Sequence, residues 1–284
     1  MIVTGFVALF ATAFATMAAV PALFVLGSPG SHDPARCSLR GPSGQLQILE
    51  RPSRLHWFGT DQQGCDLFAR TIYAARISIG IAIIAVVVAT FVGCILGGVA
   101  GFVGGRVDAV LTRSVEVFSG LPPVVFAVLV LSSQRGERSL ALVASVLGVL
   151  GFPTVAKVVR VAVMECRGRD FVEAAEAGGA SRARILLRHI GPNVAPTVMA
   201  LASLGVGPAI ASETTLAFLG LSVAQPAAGW GVLVAEGRNH LADRPHLLLI
   251  PVTFLVLAAF SFVLLGDLFD GRSRRSLSHG PPVT

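Results

Sequence analysis

Charge is scarce in this sequence. Only 13% of its 284 residues are Asp, Glu, Lys or Arg, whereas 54% are hydrophobic. A soluble domain carries about 25% charged residues, so the composition excludes an ordinary soluble domain and indicates an integral membrane protein. The length suffices for several spans of about 20 residues each. The net charge is +6, but the basic residues form no dense tract, which argues against nucleic acid binding.

Sequence motifs of enzymatic chemistry are absent as well. No G-x-x-x-x-G-K-[ST] stretch is present, so the chain lacks the phosphate-binding loop with which many ATPases hold nucleotide. The patterns C-x-x-C, H-E-x-x-H and G-x-S-x-G are missing, and the six histidines are scattered. We therefore predict no catalytic residue, no metal site and no cofactor in this chain.

Apolar runs divide the chain into predicted membrane spans. Residues 1–26 are apolar and uncharged; a signal peptide is the competing interpretation, but the run exceeds the usual apolar core of about 7–15 residues and lacks a basic start. We therefore interpret it as a retained first span. Residues 27–76 turn to Pro, Gly, Ser and charge, which predicts an extramembrane segment. Five further spans are predicted, at about 77–100, 115–132, 140–163, 194–219 and 247–265.

Four glycines recur every fourth residue near the end of the second predicted span. They are Gly93, Gly97, Gly101 and Gly105. One face of the helix is therefore bare of side chains, which lets another helix approach closely. Residues 104–108 are predicted to form a short polar turn.

Prolines and ionisable residues inside the spans are the candidates for a translocation pathway. The third predicted span contains Pro122 and Pro123, whose missing amides should break or kink the helix, and kinked spans often line cavities. A carboxyl such as Glu213 in the fifth span costs about 2.5 kcal/mol or more at the bilayer centre, so it must face protein or water. Hydration near the outer end is the alternative for Glu213. Lys157 and Arg160 are expected to reach the headgroups from the end of the fourth span.

A polar and charged stretch, residues 166–193, separates the fourth and fifth predicted spans. Asp170 and Glu173 have the spacing of a capping box, which predicts a helix that begins directly after Asp170. Gly178 and Gly179 should end this helix, because glycine readily adopts the left-handed backbone found at helix ends.

A second short helix is predicted after Ser181, whose hydroxyl can cap it. Its apolar residues share one stripe at helical spacing: Ala183, Leu186, Leu187 and Ile190. The pair Gly191-Pro192 is predicted to end it. The product is a helix-turn-helix elbow at a membrane surface, acidic in its first arm and basic in its second. A solvated loop is the alternative; a DNA-reading helix-turn-helix is disfavoured because both ends run into membrane-length segments.

The elbow resembles a known family. Glu173-Ala174-Ala175, then Gly179 after three residues and Pro192 thirteen further on, resemble the EAA loop of permease subunits in binding-protein-dependent ABC importers. In that family the loop is a cytoplasmic coupling helix that sits in a groove of the ATPase subunit. The resemblance assigns to ATPase coupling the residues Asp170, Glu173, Ala174, Ala175, Gly179, Arg182, Arg184, Arg188 and Pro192.

Two further stretches resemble the C-type subunit of dipeptide and oligopeptide permeases. The matching residues are Gly59 to Gln62, Gly64, Asp66, Arg70 and Ala75 to Ser78 in the first stretch, and Glu213, Leu216, Phe218 to Leu221 and Gly229 to Gly231 in the second. Cys65 stands where the family has arginine, Gly191 where it usually has leucine, and Gly178 where it often has another aliphatic residue.

The resemblance implies an all-α integral membrane protein with the type I permease fold. It comprises six transmembrane helices: the first at 1–26 and a five-helix core at 77–269, followed by a cytoplasmic tail at 270–284. Both termini and the elbow then lie in the cytoplasm of a bacterium, and the protein in its inner membrane. The positive-inside rule supports this orientation only weakly, with twelve Lys and Arg residues inside and ten outside.

The implied partners are a second, B-type permease subunit, two ATPase subunits that carry ATP and Mg, and an extracytoplasmic binding protein that delivers a peptide. Related permeases carry dipeptides, oligopeptides, glutathione or nickel chelates, and the sequence does not rank these cargoes. An ion-coupled secondary transporter, or a membrane assembly subunit without an ATPase, is the alternative. A carrier would normally show several intramembrane ionisable groups, whereas Glu213 stands nearly alone.

The outer segment leaves two questions open. Asp61 can cap a short amphipathic helix on the outer interface, and a surface hairpin is the alternative. Cys37 and Cys65 both fall in this segment, where a disulfide is permitted, whereas Cys94 and Cys166 would lie in the membrane and the cytoplasm.

Overall fold

Helices make up nearly all of the secondary structure in the computed structural model, which describes residues 48–54, 56–134, 138–223 and 228–277. Within these residues the only β-type pairing is one bridge between Thr60 and Asp66. The helices are α1 Leu67–Val103, α2 Gly105–Ser119, α3 Pro123–Ser133, α4 Leu140–Arg167, α5 Asp170–Ala177, α6 Arg182–Arg184, α7 Gly191–Phe218, α8 Trp230–Gly237 and α9 His246–Leu277. A π-helix, Ile185–Ile190, joins α6 to α7, and a 3₁₀ turn, Arg238–His240, follows α8. The predicted all-α class is confirmed.

Four stretches are long and apolar enough to cross a membrane: α1, α4, the continuous helix Arg182–Phe218, and α9 over His246–Leu264. The pair α2 and α3, bent by 78°, makes a fifth if it counts as one span. The span predicted at residues 1–26 lies outside the described residues, so the count of six stays a prediction.

The first described helix, α1, begins ten residues earlier than the predicted span. Asp66 is its N-cap and accepts a hydrogen bond from the Ala69 amide at 3.1 Å. The helix predicted to follow Asp61 does not form: Oδ1 of Asp61 accepts hydrogen bonds from the Gln63 and Cys65 amides at 2.8 and 2.9 Å. Asp61 therefore closes a turn, and the segment expected to be a separate interfacial helix is the start of α1.

The glycine stripe of α1 packs against α4, as predicted for three of its four members. A Cβ at Gly93 would lie 2.5 Å from Cβ of Val155, and a Cβ at Gly101 would lie 2.6 Å from the Arg160 carbonyl oxygen. Gly97 is still closer to the backbone of Ala156. The two helices therefore touch backbone to backbone.

Gly105, the fourth member, does not belong to this interface. Nothing lies within 4 Å of a Cβ built there, and its φ is +58°. With Gly104, whose φ is +71°, it reverses the chain between α1 and α2. The predicted polar turn is therefore confined to these two residues, and Asp108 already lies in the first turns of α2.

The predicted break at the two prolines is confirmed. α2 ends at Ser119, Pro122 has extended backbone, and Pro123 is the first residue of α3. Because proline has no amide to donate, the hydrogen-bond ladder of α2 cannot continue through this pair. Pro153 in α4, in contrast, is accommodated inside a continuous helix.

The described core consists mainly of three apolar clusters. One joins α1, α7, α8 and α9, and its largest buried side chain is Trp230. A second joins α1, α3, α4 and α7 around Leu131 and Leu147. The third joins α1 and α4 to the elbow and to Val194 at the start of α7. The elbow is therefore packed onto the ends of the membrane helices.

Candidate coupling and translocation sites

The first arm of the elbow is α5. It begins at Asp170, one residue earlier than predicted, and Arg169 occupies the N-cap position without a side-chain hydrogen bond. The capping box is therefore wrong: the first turn is closed by the Val172 amide, which donates to the Arg169 carbonyl at 2.9 Å. Asp170 and Glu173 lie inside the first turn, where their negative charge is favoured by the helix dipole.

The turn between the arms has the Schellman geometry. The Gly179 amide donates to the Glu176 carbonyl at 3.0 Å, and the Ala180 amide donates to the Ala175 carbonyl at 3.1 Å. Gly179 has a φ of +75°, which glycine adopts at little cost. The predicted stop at Gly178-Gly179 is confirmed, and hydrogen bonds hold the turn in one shape.

The second arm begins as predicted but does not end as predicted. Ser181 caps α6 by accepting a hydrogen bond from the Arg184 amide at 3.4 Å. The chain then continues through the π-helix into α7, and the Gly191 amide donates to the Leu186 carbonyl five residues back. The π-helical hydrogen bonds, which join each amide to the carbonyl five residues back, thus end at Gly191. The next residue, Pro192, lies in the first turn of α7 and has no amide to donate.

The π-helix also changes which side chains are buried. Ile185 and Ile190, five residues apart, are 1% and 0% exposed, whereas Leu187 is 76% exposed. The predicted stripe is therefore only partly right, because it assumed α-helical spacing. Ile185, Ile190 and Val172 of α5 pack together against Val163 of α4.

The residues that the resemblance assigned to coupling lie on the open side of the elbow. Ala175 is half-buried; the exposed ones are Asp170, Glu173, Ala174, Gly179, Arg182, Arg184, Arg188 and Pro192. Acidic groups lie on α5 and basic groups on the second arm. The elbow thus has a buried apolar side fixed to the membrane helices and an open charged side suited to contact with another protein.

Glu213 lies inside the protein, away from any solvent-accessible surface. It is 0% exposed, and its carboxylate accepts hydrogen bonds from Ser78 Oγ at 3.0 Å and from Ser222 Oγ at 2.8 Å. Ser78 also accepts a hydrogen bond from the Trp230 amide at 2.9 Å. Glu213 faces protein in this conformation, and its place in the translocation pathway stays a prediction. No sequence pattern pointed to Ser78 or Ser222 as its partners.

Several residues that carry the family resemblance contact one another around the start of α1. Arg70 lies between Asp61 and Glu236 and forms an ion pair with each of them. Its Nη1 lies 3.0 Å from the Glu236 carboxylate. The Trp230 indole donates to the Thr71 carbonyl at 2.8 Å. These contacts fasten α8 to the start of α1 and to the turn that precedes it.

The candidate pathway prolines, Pro122 and Pro123, are both exposed. Arg160 is not simply directed to headgroups: its guanidinium forms two hydrogen bonds with the Asp108 carboxylate, one of them 2.6 Å between Nη2 and Oδ2. No local pattern predicts this pair, because the two residues are 52 positions apart.

The described cysteines differ in their bonding state. Cys94 and Cys166 are free thiols, and Cys65 is disulfide-bonded. Cys37 lies outside the described residues, so its pairing with Cys65 stays a prediction. Among the described residues, no three His, Cys, Asp or Glu side chains are grouped to hold a metal ion.

Comparison with known proteins identifies the family. The model of the "binding-protein-dependent transport system inner membrane component" matches residues 89–279. The oligopeptide transport system permease protein OppC of Escherichia coli (strain K12) is 42% identical over 212 residues, which are 75% of this chain and 70% of that protein. The dipeptide transport system permease protein DppC of Bacillus subtilis (strain 168) is 36% identical over 217 residues, 76% of this chain and 67% of that protein.

A third relative, the OppC protein of Bacillus subtilis (strain 168), is 34% identical over 222 residues, which are 78% of this chain and 72% of that protein. The chain therefore belongs to the family of inner membrane components of binding-protein-dependent transport systems. It is a multi-pass membrane permease, as the elbow and the outer motifs indicated. This membership favours the importer over the ion-coupled carrier.

Proposed function

We propose that this chain is one of the two transmembrane subunits of an ATP-driven peptide importer. It forms half of the translocation pathway and couples to ATPase subunits through residues 166–193. The peptide cargo is supported by the relatives described as oligopeptide and dipeptide permeases and by the outer motifs around Arg70 and Trp230. Dipeptides and oligopeptides are the cargo classes that these relatives favour.

The elbow is the observation that carries this proposal. Its turn is held by two backbone hydrogen bonds, and its second arm belongs to one helix that runs from Arg182 to Phe218. A push on the exposed arm therefore moves a helix that extends through the membrane, without a flexible joint between them. This continuity suits a lever that passes the motion of an ATPase to the pathway.

The remaining components follow from this assignment. A B-type permease supplies the other half of the pathway, two ATPase subunits bind and hydrolyse ATP with Mg, and an extracytoplasmic binding protein delivers the peptide. The elbow and both termini lie in the cytoplasm, and the protein lies in the inner membrane of a bacterium. Pro122 and Pro123 line the pathway. Glu213, whose carboxylate joins Ser78 to Ser222, is the third candidate residue of the pathway.

Purification of the tagged chain in mild detergent, with mass spectrometry of the proteins that accompany it, tests this function. We expect a second permease, ATPases and a binding protein, and the peptides that this binding protein retains identify the cargo. Recovery of the chain alone, from membranes in which those subunits are present, would contradict the proposal. The Gly178→Ala chain, purified in the same way, is the control. A Cβ there makes only ordinary contacts of 3.4 Å or more, so this variant should keep the fold of the elbow and the same partners.

A further inference from the structure

Helix α2 runs beside the inner half of α4, in the direction opposite to it. Asp108 pairs with Arg160, and Val115 packs against Phe152 and Ala156. The Phe118 ring lies 5.4 Å from the Phe152 ring, centroid to centroid. As α2 advances from residue 108 to residue 118, its neighbours on α4 move from residue 160 back to residue 152. The end of α2 therefore reaches the middle of a 28-residue membrane helix.

The break between α2 and α3 consequently lies near mid-membrane depth. Its residues, Gly120, Leu121 and Pro122, are all exposed in this chain. Backbone outside a helix cannot face lipid at this depth, because its polar groups would lack hydrogen-bond partners. The break must therefore face either water or another protein.

The surface of α2 falls into three sectors. One sector packs on the rest of the chain through Val115, its only buried residue. A second is exposed and apolar: Val107, Val110, Val117 and Phe118, which are 41–70% exposed. A third is exposed and charged: Arg106, Arg113 and Glu116. At 3.6 residues per turn the charged and apolar sectors lie side by side without overlap.

Two of the three residues of the charged sector, Arg113 and Glu116, lie at a depth where ions cannot face acyl chains. Arg113 and Glu116 form an ion pair of 3.0 Å, and their side chains are 85% and 47% exposed. They lie along α2 between the Asp108 contact and the Phe118 contact, and thus beside the inner half of α4. Ionisable groups within membrane spans face the interior of the protein or a water-filled cavity.

We propose that the charged sector of α2, formed by Arg106, Arg113 and Glu116, faces water in the inner part of the translocation pathway. The apolar sector then faces a dry environment, and the Asp108–Arg160 pair holds α2 in this orientation. The inference rests on the importer function proposed above. A lining with charges of both signs offers hydrogen-bond partners to the two oppositely charged ends of a peptide.

Thiol labelling of single cysteines tests the two sectors against each other. The parent chain is the Cys94→Ala, Cys166→Ala variant, produced with its partner subunits. Arg113→Cys and Glu116→Cys report on the charged sector. Val110→Cys and Val117→Cys are the controls, because their native residues are 65% and 70% exposed, between the values for Glu116 and Arg113.

A membrane-impermeant thiol reagent is added to inside-out vesicles. We expect Arg113→Cys and Glu116→Cys to react about tenfold faster or more than Val110→Cys and Val117→Cys, because only a hydrated thiol ionises readily. Equal rates for all four variants would overturn the proposal, since α2 would then lie in a single environment.

A second measurement asks whether the water belongs to the path of the cargo. The Glu116→Cys complex is labelled with a bulky reagent and reconstituted into liposomes with its binding protein. Peptide uptake should fall several-fold while ATP hydrolysis persists. Faster labelling without a loss of uptake would overturn the proposal and leave the importer function intact. An unlabelled parent complex without uptake would instead contradict the importer function, and the labelling rates would still decide the environment of α2.

Discussion

The hydroxyl of Ser78 donates a hydrogen bond to the carboxylate of Glu213, 135 residues further along the chain, at 3.0 Å. The same oxygen accepts the Trp230 amide at 2.9 Å, and a Cβ at Gly229 would lie only 2.7 Å from it. One serine thus joins α1, α7 and α8. This close approach explains the glycine at position 229, since a larger residue there would displace the hydroxyl.

Replacement of Glu213 by leucine should lower the thermal unfolding midpoint of the complex in detergent. The buried Ser78 and Ser222 hydroxyls would lose their acceptor, and each buried polar group left without a partner costs about 1–3 kcal/mol. Glu213→Gln keeps an acceptor oxygen, so its effect should be smaller. Thr215→Val is the control, because Thr215 is exposed and its hydroxyl bonds only to its own helix. A leucine variant as stable as the glutamine variant would refute this account.

Two adjacent glycines of α1 should respond in opposite ways to alanine. Gly97→Ala drives a Cβ into the Ala156 backbone, and overpacking of this kind costs about 1–3 kcal/mol or more. Gly98→Ala meets nothing within 4 Å and gains up to about 1 kcal/mol of helix propensity. The thermal unfolding midpoint of each variant is measured as the fraction of protein recovered by size-exclusion chromatography after heating. Equal midpoints would show that α1 and α4 are not in backbone contact.

Substitution of Gly179 should uncouple ATP hydrolysis from uptake. Its φ of +75° costs about 1–2 kcal/mol for a residue with a side chain, so Gly179→Leu should distort the turn between the arms. Nothing lies within 4 Å of a Cβ at this position, so the complex should still assemble. ATP hydrolysis and peptide uptake are measured on the same reconstituted complex. Gly178→Ala, whose neighbours leave room for a methyl group, is the control, and normal uptake by Gly179→Leu would contradict the lever.

A double-mutant cycle should reveal coupling between Asp108 and Arg160. The pair has two hydrogen bonds, and its side chains are only 17% and 28% exposed. Asp108→Ala and Arg160→Ala should each destabilise the complex, and the double variant should be less destabilised than the sum, by about 0.5–3 kcal/mol. The exposed pair Arg113–Glu116 serves as comparison, for which exposed ion pairs predict a coupling of about 0–1 kcal/mol. Additive effects at Asp108 and Arg160 would mean that the contact does not hold α2.

Much of the elbow could be predicted because its signals are local. Gly179 readily adopts the left-handed backbone of the turn, and the Ser181 hydroxyl caps the second arm. Acidic residues lie on the first arm and basic residues on the second. Two predictions within the elbow were nevertheless wrong or only partly right. The capping box at Asp170 was replaced by a backbone hydrogen bond one residue earlier, and the apolar stripe was misassigned because hydropathy periodicity assumes 3.6 residues per turn. A π-helix satisfies the same composition with a different set of buried residues.

The outer end was harder to predict for a different reason. Asp61 and Asp66 are both good capping residues, and either could begin a helix. The choice depends on Arg70, which lies between Asp61 and the distant Glu236 and thereby holds Asp61 in the turn. No pattern within residues 56–80 contains Glu236, so sequence spacing alone could not decide.

The sequence by itself determined the class of the protein, which stretches of the described chain form membrane helices, the break at Pro122-Pro123 and the glycine face of α1. These follow from hydropathy and from backbone properties of glycine and proline, which act over a few residues. Only the tertiary structure decided that Glu213 is buried beneath Ser78 and Ser222, that Asp108 holds Arg160, and that the second arm of the elbow continues into the membrane. Side-chain partners far apart in the chain meet only after the helices pack, and their contacts determine which polar groups are buried and which remain open to water.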